Sequence, residues 1–259
     1  MKPVVLTLIL LAGGAGSALA ADSPFAGSWK LNVEKSKLTG STFTYSATAT
    51  GYHYSNGATV EYDFAADGKD YPTVSDRTIA WTKSGDNAWD SVAKDGKGTV
   101  LGKSHRVLSA DGKKLTVSYT TYRPDGTTAE GSDEYLRVSK GKGLAGKWKD
   151  VKAKEASTSM TIAVPSPGQV AIEYPSYKQT ISGPTDGTPI AGKGPTIPAN
   201  VFRSFEVAGP SKWNYTTTLD GKEWRKGSIS VSADGKTLTD VSFLPGKAAE
   251  KEVDVYERQ

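Results

Sequence analysis

Histidine is the side chain most often used as a base or metal ligand near neutral pH, and this 259-residue chain has two. His53 lies in Gly51-Tyr52-His53-Tyr54 and His105 in Lys103-Ser104-His105-Arg106, neither with a second histidine or an acid at metal-ligand spacing. The chain has no cysteine, so a zinc site would need both histidines plus carboxylates from distant strands. No Gly-x-Ser-x-Gly elbow, phosphate loop, dinucleotide fingerprint or His-Glu-x-x-His is present. Asp-Gly pairs are abundant, but Ala65-Ala66-Asp67-Gly68 and its counterparts lack the alternating oxygen ligands and closing glutamate of a calcium loop. Glu61 and Asp63 flank Tyr62, and on an alternating strand they are expected to face solvent. No catalytic residue and no metal ligand is assigned, and no cofactor is implied.

Aromatic side chains are the remaining class able to do chemistry, here the chemistry of binding. The chain has 24 Trp, Tyr and Phe residues against two Met. Tyr62, Trp81, Trp89, Tyr119, Trp213 and Tyr215 fall on apolar faces of predicted strands. In a barrel with a filled interior these rings are core; in one with a cavity they line it, rings packing and hydroxyls orienting a ligand. Both readings stand at this point, and the six are the candidate ligand-binding residues.

The elements that would position them are strands. Apolar residues alternate with polar ones at Phe43, Tyr45, Ala47 and Ala49, at Val60, Tyr62 and Phe64, and at Leu115, Val117 and Tyr119. The pattern recurs at Met160, Ile162 and Val164, at Val170, Ile172 and Tyr174, and at Trp213 and Tyr215. Asp-Gly pairs, which suit the positive φ of tight turns, punctuate these runs at Asp67, Asp95, Asp111, Asp125, Asp186, Asp220 and Asp234. No window holds a helical apolar stripe for three turns. A meander of short antiparallel strands has two open edges, which closure into a barrel removes. The prediction is all-β: two tandem up-and-down barrels of about eight strands each, with a pair of β-sandwiches as the alternative.

The number two comes from a repeat. Ala26-Gly27-Ser28-Trp29-Lys30 recurs as Ala145-Gly146-Lys147-Trp148-Lys149, and Ser109-Ala110-Asp111-Gly112-Lys113 as Ser232-Ala233-Asp234-Gly235-Lys236. Trp81 and Trp89 align with Phe205 and Trp213, and each unit ends in Tyr-x-Arg, at Tyr135 to Arg137 and Tyr256 to Arg258. The expected domains are residues 24–139 and 144–259, with Lys140-Gly141-Lys142-Gly143 as linker. Pro184, Pro189, Pro195 and Pro198 mark a long loop in the second unit, either a lid over a barrel mouth or a disordered insertion.

The N-terminus has the three parts of a signal peptide over residues 1–20: Lys2, the apolar run Val4 to Ala12, and Ala18-Leu19-Ala20. That run is shorter than the roughly 20 residues that span a bilayer. The mature chain would begin at Ala21, with 31 basic and 28 acidic residues. A net charge of +3 with scattered lysines gives no nucleic-acid or membrane-surface signature. Export without cysteine points to a bacterial periplasm or medium, with stability resting on the core alone. The Asn214-Tyr215-Thr216 sequon discriminates nothing.

Gly27-Ser28-Trp29 and Gly146-Lys147-Trp148 at the start of each unit, with Arg137 and Arg258 at each end, resemble the calycin superfamily of lipocalins and their relatives. The Ala26 to Asn32 opening with the Asp-Gly-Lys turns is also similar to exported bacterial proteins with lipocalin-like repeats. The resemblance covers nearly all of the mature chain. It implies that Trp29 and Trp148 plug the closed barrel ends beneath Arg137 and Arg258 respectively, as structural pairs. Each unit is shorter than a typical lipocalin and the lipocalin disulfides are absent. The resulting functional expectation is an exported, non-enzymatic binder of a small apolar ligand. The alternative is a structural or interaction module of the cell envelope with filled barrels.

Overall fold

The computed structural model describes residues 23–198 and 200–259; the expected signal peptide lies outside the described residues. In chain order the strands are β1 (Gly27–Leu31), β2 (Thr42–Ala47), β3 (Tyr52–Ser55), β4 (Glu61–Phe64), β5 (Asp67–Pro72), β6 (Thr78–Gly85), β7 (Ala88–Lys94), β8 (Val100–Leu108), β9 (Lys114–Tyr122) and β10 (Thr128–Arg137). They continue as β11 (Gly146–Lys154), β12 (Ser159–Ala163), β13 (Gln169–Tyr174), β14 (Gln179–Pro184), β15 (Ile190–Ala191), β16 (Val201–Gly209), β17 (Lys212–Leu219), β18 (Lys222–Val231), β19 (Thr237–Phe243) and β20 (Glu252–Arg258). A 3-10 turn at Pro175–Tyr177 is the helical element among the described residues.

These strands form two ten-stranded antiparallel sheets, each curled into a nearly closed up-and-down barrel. The all-β class and the tandem barrels are as expected, but each barrel has ten strands rather than about eight. The additional strands are short and polar. β5 reads Asp-Gly-Lys-Asp-Tyr-Pro and β15 has two residues, too little alternation for a period-2 signal.

Barrel I is β2 to β11, a meander in which β11 pairs back onto β2, Trp148 opposite Phe43, and β4 and β5 are left as the two unpaired edges. Barrel II is β12 to β20, closed by β1, which inserts between β20 and β12. The repeats and the barrels therefore do not coincide: the two units have exchanged their first strands. The expected division into 24–139 and 144–259 separates the sequence repeats but not the sheets. Lys140 to Gly143, expected as a linker, is part of the turn joining β10 to β11 inside barrel I, where Arg137 pairs with Trp148. Proximity in sequence accounts for this. β11 follows β10 after eight residues, whereas β1 lies about 100 residues before β10, and closing the shorter loop costs less entropy. β1 then occupies the equivalent place in barrel II.

The turns follow the Asp-Gly chemistry with two exceptions, Asp67-Gly68 and Asp186-Gly187, the latter bridged to Glu206. In Ser109–Lys113 and Ser232–Lys236 the aspartate accepts the backbone N–H two residues on and the serine hydroxyl two residues back, at 2.6–3.1 Å in both copies. Asp220 and Gly221 both have positive φ, 51° and 75°, the two-residue hairpin that fits strand twist. Asp67-Gly68, expected as a turn, instead opens β5 as a bulge against β6.

Each barrel is plugged at one end by the same device. The Trp29 indole is buried and its Nε1 donates to Phe25 O at 2.9 Å; the Trp148 Nε1 donates to Leu144 O at 2.9 Å. Over Trp29 lies Arg258, 4.2 Å from the ring centroid, and over Trp148 lies Arg137, at 4.4 Å. The expected pairing of Trp29 with Arg137 and Trp148 with Arg258 is thus crossed, a direct consequence of the strand exchange. Arg258 donates to Gly235 O, Ala26 O and Pro24 O at 2.5–2.6 Å; Arg137 donates to Gly112 O, Gly143 O and Ala145 O. The glycine of each Gly-x-Trp is required by this packing. A Cβ on Gly27 would stand 2.4 Å from Arg258 Nη1, and one on Gly146 2.9 Å from Arg137 Nη1, at φ near +140° in both. Burying one such indole contributes several kcal/mol, from roughly 200 Å² at about 25 cal/mol/Å².

A double-mutant cycle on unfolding free energy tests the crossed arrangement. With Trp29→Leu and Arg258→Met the coupling is expected to be about 1 kcal/mol, and with Trp29→Leu and Arg137→Met close to zero. Coupling of Trp29 to Arg137 instead would show that each unit keeps its own first strand.

Candidate functional site

The plug of barrel I sits at the Gly112 turn between β8 and β9; the other ends of these strands, at Leu101 and Thr121, form the barrel mouth. A cavity of about 480 Å³ opens there, walled by Phe43, Tyr54, Tyr62, Ile79, Val117 and Tyr135, with Arg77 and Arg106 as its charged residues. The rings support one another: Tyr54 and Tyr62 lie 5.0 Å apart, Phe43 and Tyr135 4.9 Å. Arg106 lies 4.2 Å over Trp81, and its Nη1 donates to Ser91 Oγ and Ser104 Oγ at 3.0 and 2.7 Å. Burial pushes the Tyr45, Tyr54 and Tyr62 phenols above their ordinary range, so they stay protonated at neutral pH and can both donate and accept.

Barrel II has its own mouth, where β17 and β18 meet. A cavity of about 450 Å³ is walled there by Tyr174, Ile181, Ile197, Val201 and Trp224, with Gln179, Thr158 and Arg203 as polar neighbours. Arg203 stacks 4.8 Å over Tyr215 and donates to Thr217 Oγ1 at 3.0 Å. The proline-rich loop of the second unit borders this cavity through Gly192, Thr196, Ile197 and Pro198. It is tied down by paired backbone bonds between Thr180 and Lys193, both 2.8 Å, and by Gln179 Nε2 to Thr196 Oγ1 at 2.7 Å. Barrel I completes the wall with Arg77, Leu101, Thr121 and Tyr122, and the first three of these border its own cavity as well. The two cavities therefore meet at a shared wall.

The six residues singled out in the sequence separate along the barrel axis. Tyr62 lines the barrel I cavity. Trp81, fully buried, stacks on Phe64 at 4.3 Å beneath Arg106. Trp89 is core, and Trp213 stacks on Phe25 at 3.6 Å near the barrel II plug. Tyr215 is core and donates to Asp240 Oδ1 at 2.9 Å. Tyr119 borders a separate polar groove on barrel I with Ser91, Ser104 and Ser132. Alternation identifies which residues point inward but not their height. Phe43 and Tyr174 carried the same inward signal. Arg77 precedes its strand and Trp224 lies off any alternating run, so neither had one.

The polar candidates behave as surface residues. His53 pairs with Asp63 at 2.7 Å and His105 with Asp90 at 2.6 Å, across neighbouring strands on exposed faces. Among the described residues no three His, Cys, Asp or Glu are grouped to hold a metal. The acids that sequence reading missed are interior ones: Asp133, Asp150, Asp240 and Asp254. Burial raises all four, with Asp150 pushed up to about 6 and Asp254 to about 7, aided by neighbouring carboxylates. None of them borders either mouth cavity.

No protein-family model matches the chain, and no curated protein matches it. Two nearly closed antiparallel barrels with Trp-Arg plugs are consistent with a lipocalin-like tandem fold.

These interior acids set a pH dependence. Unfolded aspartate titrates near about 3.9, so the folded chain binds more protons as pH falls through about 7 and about 6, and stability rises. The turn aspartates Asp111, Asp125 and Asp234 are held below their ordinary range by hydrogen bonds and withdraw their contribution below about pH 4. Tm is expected to peak near about pH 5, and Asp254→Asn to raise Tm at pH 8 and flatten its fall between pH 5 and pH 8. An unchanged profile in the variant would remove Asp254 from this account.

Proposed function

We propose that the protein is an exported, non-enzymatic carrier, a lipocalin-like tandem barrel that holds a small, largely apolar ligand at its mouths. The observation that carries this reading is the pair of aromatic-lined cavities of about 480 and 450 Å³ meeting at one wall. Each lies at the end of its barrel opposite a packed plug, so the fold keeps one end solid and the other hollow. Cavities of this size and lining suit small molecules. The N-terminal sequence supports export. Carriage needs no cofactor, and the mouth residues supply packing and hydrogen-bond orientation rather than a nucleophile and base.

Native mass spectrometry of the mature chain tests this, before and after incubation with a lipid extract of its host. A discrete added mass is expected, lost in Ile181→Glu, which places a charge in the barrel II cavity, provided the variant keeps its β circular dichroism. A clean apo mass under every condition would overturn the carrier reading and favour the envelope module with a working outer surface.

A further inference from the structure

Among the described residues, the charged residues of the two mouth cavities are Arg77, Arg106 and Arg203, with no carboxylate on either wall. The mature chain as a whole balances 31 bases against 28 acids, so the sign bias belongs to the mouths. The three arginines are not equivalent. Arg106 is committed to the Trp81 face and two serine hydroxyls. Arg203 is held by the Tyr215 face and Thr217, in the field of Asp240. Arg77 borders both cavities, and its Nη2 donates to the carbonyl of Thr196 across the junction at 2.5 Å. Its guanidinium carries five N–H donors and makes no ion pair among the described residues. Burial lowers its pKa, outweighing the opposing fields of Asp76 and Asp95, neither of which pairs with it directly. A second polar group shares that wall: the buried Thr158 Oγ1 makes no hydrogen bond among the described residues.

Resting on the carrier reading above, we propose that the junction is an oxyanion site: the cargo is a largely apolar organic acid whose carboxylate or sulfonate is bound by Arg77, with its apolar body in the cavities. A guanidinium in a low-dielectric wall binds an oxyanion strongly through charge-assisted bonds. The rings on either side accept the rest of the molecule. The site is composite, because Arg77 comes from barrel I while Thr158, Gln179 and the loop carbonyl of Thr196 come from the barrel II side.

Two dyes that differ by one acidic group separate the possibilities: 1-anilinonaphthalene-8-sulfonate and its neutral parent N-phenyl-1-naphthylamine, titrated by fluorescence onto the mature protein. The wild type is expected to bind both, the sulfonate more tightly. Arg77→Gln should weaken the sulfonate by about tenfold or more and change the neutral dye by less than about twofold, while Arg77→Lys retains part of the difference. Circular dichroism and Tm confirm that the variants are folded. If both dyes bind and Arg77→Gln affects them equally or not at all, the oxyanion site is overturned and the carrier reading stands. If neither binds the wild type, the carrier reading fails and this inference fails with it.

Discussion

At each barrel end an arginine lies flat on a tryptophan and gives its N–H groups to carbonyls of the surrounding backbone, Arg258 on Trp29 and Arg137 on Trp148. This stack ties the closing strand of a barrel to the strand beside it and to the turn between the two preceding strands, at Gly235 and Gly112. The glycine two residues before each indole exists because the guanidinium occupies the space a Cβ would need. With one end of each barrel filled in this way, the inward rings near it pack as solid core. The aromatic-lined cavities lie at the opposite end.

The strand exchange follows from chain geometry acting on a duplicated sequence. Two copies of a first strand compete for the same place beside β10, and the one eight residues away takes it. Barrel I is thereby a contiguous insertion between the first strand of barrel II and the remainder. One asymmetry fits this placement: at equivalent positions β1 carries Leu31 and β11 carries Asp150, and Leu31 lies opposite Tyr256 while Asp150 lies opposite Tyr135. Barrel II, already holding Asp240 and Asp254, is spared a third interior aspartate. The barrels are further joined where Lys247 donates to Thr42 O at 2.7 Å and Glu250 accepts from Thr42 N at 2.9 Å.

Interior charge is sorted along the barrel axes. The aspartates sit in packed regions, where desolvation holds their protons to higher pH. The arginines that reach the cavities sit at the mouths. On the proposed carrier reading, this sorting favours apolar molecules bearing negative charge. The two sets still touch, because Asp240 accepts from Tyr215 and its field reaches Arg203 on the cavity wall.

Much of this was legible in the residues themselves. Period-2 alternation placed the inward faces of β2, β4, β9, β12, β13 and β17, the Ser-Ala-Asp-Gly-Lys turns at Asp111 and Asp234 marked hairpin ends, and the repeat counted the barrels. These are local properties, determined by backbone conformation and side-chain polarity within a few residues. Tertiary structure decided the rest. Which Trp meets which Arg depends on loop closure between segments more than 200 residues apart, and both partners look alike in each repeat. Whether an inward ring is core or cavity wall depends on its height above the plug, and alternation carries no record of height. Arg77, Thr158 and the Thr196 carbonyl share a wall only because the two barrel mouths meet, a contact between surfaces that no local pattern encodes.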